Sequence, residues 1–152
     1  MSLFTIFKIA SQGMTAQRER LEAASANLAN ANSTRAANGK PYQRRDIVFT
    51  AQGLTDEWQT TATQSGLFDA NAATNPQGVK SDVVIADENQ YVMQYQPGHP
   101  DADANGYVKM PDVDPLEETV NMISAARSFE SNATVFNTAK ELARVSINLG
   151  DA

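Results

Sequence analysis

Leu3, Phe7, Ala10, Met14, Gln17, Leu21, Ala24, Leu28 and Ala31 step along the start of the chain in alternating intervals of four and three. Met122, Ala126, Phe129, Ala133, Phe136, Lys140, Ala143 and Ile147 repeat the pattern near its end. This is the a/d rhythm of helices that pack along a narrow seam. The two seams are separated by about ninety residues of different character. The pattern predicts a mainly α fold with a small β-rich insertion. The long N- and C-terminal helices are expected to pair as a coiled coil, with short antiparallel strands between them.

Working outward, the first helix is expected over 3–31 and the N-terminal helical segment over 1–33. Asn38-Gly39 marks a turn, and Pro41 excludes helix at Lys40. A β-rich middle follows over 34–113. Ile47, Phe49 and Ala51 alternate with Val48, Thr50 and Gln52, as Tyr91, Met93 and Tyr95 do with Val92 and Gln94, and Val79–Ile85 and Tyr107–Met110 are further strand candidates. Residues 52–77 are rich in Thr, Gln, Asn, Ala and Gly, and a long mobile loop is expected there, with Trp58 as its anchor. Asp114-Pro115-Leu116-Glu117 opens the last segment, 114–152, with a capping carboxylate and Pro at the first helical position. Gly150 is expected to stop that helix.

The 152 residues suffice for one domain, and the 41% apolar content leans on alanine. Such a core buries little area per side chain, so association is expected to supply stability, and the termini of a dilute monomer are expected to be protease-labile. The net charge of −6 is uneven: residues 1–40 carry five basic and two acidic groups, and residues 111–152 carry three basic and seven acidic. Opposite signs at the two ends favour their pairing. Overall acidity excludes a nucleic-acid partner, which requires a basic footprint. There is no cysteine, hence no disulfide and no thiolate metal site. No apolar run approaches membrane-spanning length, so direct membrane insertion is not expected. The N-terminus lacks a basic segment ahead of its apolar turn, which reads as the start of a helix and not as a cleaved signal peptide.

Chemistry-bearing patterns are sparse, and no enzyme, catalytic residue or cofactor is expected. His99 stands alone in a Pro/Gly turn. Asp101, Asp103, Asn105 and Gly106, with Asp112 in twelfth place, match part of a calcium loop over 101–112. Asp112 is shorter than the usual bidentate Glu, Lys109 sits in a ligand position, and Pro97 and Pro100 preclude an entering helix. A calcium-binding module is therefore the alternative reading, and a polar turn the ordinary one. Arg44-Arg45 reads as a surface pair. Asn27 and Asn30 share a helix face beside the seam; they suit either a fraying helix end or amides that fix register across subunits.

Ser25-Ala26-Asn27-Leu28-Ala29-Asn30-Ala31-Asn32-Ser33 resembles the N-terminal signature of bacterial flagellar rod and hook proteins. Tyr95–Pro100, Gly106–Asp114, Met122–Glu130 and Asn137–Lys140 resemble, within that family, the C subunit of the proximal rod. The resemblance implies a non-enzymatic axial subunit of the basal-body rod. It would be exported by the flagellar type III apparatus and stacked with copies of itself and other rod proteins. The family's terminal helices pair and form the inner tube, with the middle segment outward. Subunit packing is then expected from Leu3, Phe7, Ala10, Met14, Leu21, Ala24, Asn27, Leu28 and Asn30 on the first helix. On the last it is expected from Met122, Ala126, Phe129, Ala133, Phe136, Ala143 and Ile147.

Overall fold

A computed structural model describes residues 3–36, 39–53, 77–87 and 90–150. Helix α1 spans Leu3–Asn30 and helix α2 spans Pro115–Gly150. Between them lie strands β1 (Arg45–Gly53), β2 (Gln77–Ile85), β3 (Tyr91–Tyr95) and β4 (Tyr107–Pro111). The strands form two separate two-stranded antiparallel sheets, β1 with β2 and β3 with β4, and not one continuous β unit. Most of the expected 52–77 loop, with Trp58, lies outside the described residues; β1 and β2 occupy its two ends. No described helix is long and apolar enough to cross a membrane.

The helix ends follow from local chemistry. Asp114 Oδ1 accepts the Leu116 N–H at 2.8 Å, and the Asp114 carbonyl accepts the Glu118 N–H. Glu117 and Glu118 place negative charge against the amide-rich end of α2. At the other end of the β region, Gly106 has φ +80°, where an added Cβ would meet the Tyr95 ring at 3.0 Å and Pro97 at 3.2 Å. Glycine there lets Asp103 gather the Asn105 and Tyr107 amides and close the β3–β4 turn.

The two helices pack antiparallel. Phe7 meets Phe136 edge-to-face at 4.9 Å, Gly13 lies against Asn132, and Arg20 donates to Asn121 at 2.8 Å. Both strands of the first sheet pack against another side of α1. The described buried apolar residues are almost all alanine: Ala10, Ala16, Ala24, Ala31, Ala125 and Ala139, with Val108 the larger exception. Alanine brings helix axes close but removes little apolar surface from water, at about 25 cal/mol per Å².

The seam on α2 differs from the periodic reading in one respect. Met122, Phe129, Phe136 and Ala143 fall on a seven-residue repeat that admits companions three or four residues on. The buried line runs through the +3 positions, Ala125 and Ala139, with half-buried Asn132 between them. The +4 residues Ala126 and Ala133 flank it, half-buried, and Lys140 is exposed. Contact with Gly13 and the small +3 side chains sets this rotation; the spacing alone is satisfied by either. Ala125 is fully buried. Ala125→Leu is therefore expected to force the helices apart, costing about 2 kcal/mol in a urea titration.

Candidate subunit interface

The end of α1 is tied to the start of β1 by one side chain. Asn27, only 1% exposed, donates Nδ2 to the Arg45 carbonyl at 2.9 Å. Its Oδ1 accepts the Arg45 N–H at 2.9 Å and the Tyr42 hydroxyl at 3.0 Å. The amide thus acts as a strand partner for Arg45, satisfying both of its backbone groups. Asn30 serves its own helix end: it donates to the Ala26 carbonyl and accepts the Ser33 hydroxyl. Asn27 is no part of a frayed end, and its hydrogen bonds are spent within the chain. Burial lifts the Tyr42 hydroxyl above its ordinary range, Arg45 working against this and Glu118 with it.

Beside Asn27 a buried carboxylate meets an arginine. Glu118 is 2% exposed, and its Oε1 lies 3.1 Å from Arg44 Nε. Neither atom has a directed hydrogen bond, so charge attraction holds the pair. Arg44 also reaches Asp46 at 3.2 Å and Glu117 at 3.1 Å. Burial works against the Arg44 charge, and the hydrogen bond to Glu117 with the surrounding carboxylates outweighs it. Arg44 is therefore no surface cation; it joins β1 to the first turn of α2. Burial raises the Glu118 carboxyl above its usual range, partly offset by Asn27 and Arg44.

That shift has a defined pH signature. The folded protein holds the Glu118 proton more tightly than the unfolded chain does. Its stabilising contribution is full below the unfolded carboxyl range and is lost as pH rises through the raised folded value. Glutamine does not titrate, so the Glu118→Gln melting temperature, measured relative to the native chain, is expected to be higher at about pH 7 than at about pH 4. Parallel melting scans at the two pH values check it.

The outward surfaces complete the geometry. Large apolar side chains line the exposed side of α2, among them Leu116, Val120, Ile123, Leu142 and Val145. Thr134 and Thr138 turn their hydroxyls back to carbonyls four residues earlier, at 2.9 Å each. Judged by the cross-helix contacts, Leu3 stands opposite about residue 140, so the last turns of α2 run past it. Ile147, 65% exposed, lies there.

Known proteins resemble this chain in the same segments. The flagella basal body rod protein family matches residues 7–36, and the flagellar basal body rod FlgEFG protein C-terminal family matches residues 104–149. The flagellar basal-body rod protein FlgC of Escherichia coli O6:H1 is 41% identical over 150 residues, covering 99% of each chain. The FlgC protein of Salmonella typhimurium is 39% identical over 150 residues with the same coverage. That of Bacillus subtilis is 34% identical over 154 residues, again covering 99% of each. The chain belongs to the FlgC family of flagellar basal-body rod proteins. The family is structural and not enzymatic, a component of the flagellar basal body. Its two matched segments contain the surfaces that meet here: Asn27 lies in the first, and Glu118 and Ala125 in the second.

Within this FlgC-family chain the expected packing residues fall into three groups, the Leu3 side chain lying outside the described residues. Ala10, Ala24 and Asn27 are buried inside the chain; Phe7, Met14, Leu21, Leu28, Asn30, Met122, Ala126, Ala133, Phe136 and Ala143 are half-buried. Phe129 and Ile147 are exposed. Two of the calcium-loop residues are otherwise engaged. Asp101 pairs with Arg35 at 2.7 Å and accepts the Thr34 hydroxyl at 2.8 Å, and Asp103 caps backbone amides. Among the described residues no group of three or more His, Cys, Asp or Glu is placed to hold a metal. Sequence reasoning missed Arg44, Glu118 and Asn132. The acidic first turn of α2 was the available signal for Arg44.

Proposed function

We propose that this chain is a structural subunit of the proximal rod, polymerising through its terminal helices with copies of itself and other rod proteins to form part of the torque-transmitting shaft. The observation that carries this reading is the contrast between an alanine core and large apolar side chains turned outward along α2. Folding and assembly are coupled: ordering costs about 1–2 kcal/mol per residue, and neighbours supply the apolar burial that the thin core lacks. The helix pair acts as a coiled coil, with 1–33 and 114–152 as the axial parts and 34–113 between them. The chain reaches the periplasmic part of the basal body through the flagellar type III apparatus. No observation favours the calcium reading.

The test is genetic and biochemical. Cells lacking this chain are expected to be non-motile, with basal bodies truncated in the rod. The full chain restores both, and a chain lacking residues 1–31 restores neither. Complete rods and swimming in cells without the chain would overturn the proposal.

A further inference from the structure

The outer faces of the two helices are complementary to each other, and they point away from each other within one chain. On α1 the exposed line runs from Phe4 to Ala29 in steps of four and three, carrying Lys8 and the Arg18–Glu22 ion pair, 3.1 Å apart, among small residues. On α2 the side opposite Glu118 and Ala125 carries Val120, Arg127, Glu130, Glu141 and Val145, all exposed. The inward-bonded hydroxyls of Thr134 and Thr138 leave methyl groups as part of this surface. Apolar groups on α2 thus face outward where α1 offers the small side chains of Ser11, Thr15, Ser25 and Ala29 between its larger ones, a fit of ridge to groove.

We propose that the outer face of α2 binds the outer face of α1 from a second copy of the chain, antiparallel, in the register that sets Ala29 beside Val120 and Phe4 beside Val145. That register puts Glu22 beside Arg127, Arg18 beside Glu130 and Lys8 beside Glu141. Each of these six charges then meets the opposite sign. Sliding the helices by one heptad in either direction, which keeps the same faces together, leaves none of the three pairs. The second copy's α1 would lie about 9 Å further along the axis than the chain's own, six residues at ~1.5 Å each. The two partners use different surfaces, so the contact is head-to-tail and repeats without closing, as a shaft requires. The inference rests on the self-assembly proposed above and specifies which surfaces meet.

The absence of cysteine makes the test clean. Chains carrying Ala29→Cys are mixed with chains carrying Val120→Cys, and Phe4→Cys with Val145→Cys, at concentrations where sedimentation shows assembly. A disulfide requires Cα atoms within about 7 Å, so roughly tenfold more linked dimer is expected for these pairs than for the mismatched Ala29→Cys with Val145→Cys. Glu141→Lys is expected to weaken assembly severalfold, and Lys8→Glu in the same chain to restore it. Equal linking of matched and mismatched pairs, or none, in material that does sediment as assemblies would overturn this contact while leaving self-assembly intact. A chain that stays monomeric at every concentration would instead overturn the self-assembly on which the contact depends.

Discussion

Asn27→Ala is expected to lower the unfolding free energy by about 3 kcal/mol, read as a shifted urea midpoint with an unchanged slope. The substitution removes one donor and one acceptor that hold the N–H and carbonyl of Arg45 and accept the Tyr42 hydroxyl. Asn27 is almost fully enclosed, so water cannot replace these bonds without opening the junction between α1 and β1. Leaving buried groups unpaired costs about 1–3 kcal/mol each, more than the net gain of making the bonds. Asn27→Asp is expected to be similarly damaging, because it loses the donor to Arg45 and sets a second carboxylate beside Glu118. Asn30→Ala is the internal control. Its amide bonds mainly to its own helix end, and the expected loss is about 0.5 kcal/mol. An Asn27→Ala loss no larger than that of Asn30→Ala would refute the strand-partner role.

Arg44→Met is expected to cost about 3 kcal/mol at neutral pH. Removing one partner of a buried pair leaves an uncompensated charge, at about 3–5 kcal/mol. The lower end applies because a quarter of the Arg44 side chain still faces water. Methionine preserves the aliphatic packing, so the loss reports charge. The deficit is expected to shrink as pH falls towards about 4, because Glu118, already above its usual range by burial, takes up a proton and no longer needs a cation. Paired urea titrations at the two pH values check this. A deficit that stays constant with pH would place the role of Arg44 in packing or in its contacts with Asp46 and Glu117.

The fold was legible wherever a local signal is strong. The reading of 3–31 agrees with Leu3–Asn30 to within a residue, because a long run free of proline with apolar steps of four and three has no other stable use. Asp114-Pro115 likewise announced the start of α2, since capping is a contact between near neighbours in sequence. The strands around Ile47, Val83, Met93 and Val108 were visible from alternation, but their faces were not. Val48, Val83, Val84 and Val92 remain exposed, so alternation there does not mark one buried side. Arg44 illustrates the limit at the junction: beside a second arginine it reads as surface, and only the approach of α2 adds Glu117 and the buried Glu118 to its neighbour Asp46.

Sequence alone therefore determined the two long helices, the Asp114 cap, the antiparallel strands between them and the membership of the FlgC family, all of which depend on neighbours along the chain or on repeated spacing. Tertiary structure alone decided that the α2 seam runs through Ala125 and Ala139, that the strands divide into two sheets, and that Asn27, Arg44 and Glu118 form one junction. The physical reason is that a heptad admits two rotations of nearly equal local energy. The choice between them is made by close approach across more than a hundred residues, where Gly13 receives Asn132 and small side chains let the axes meet.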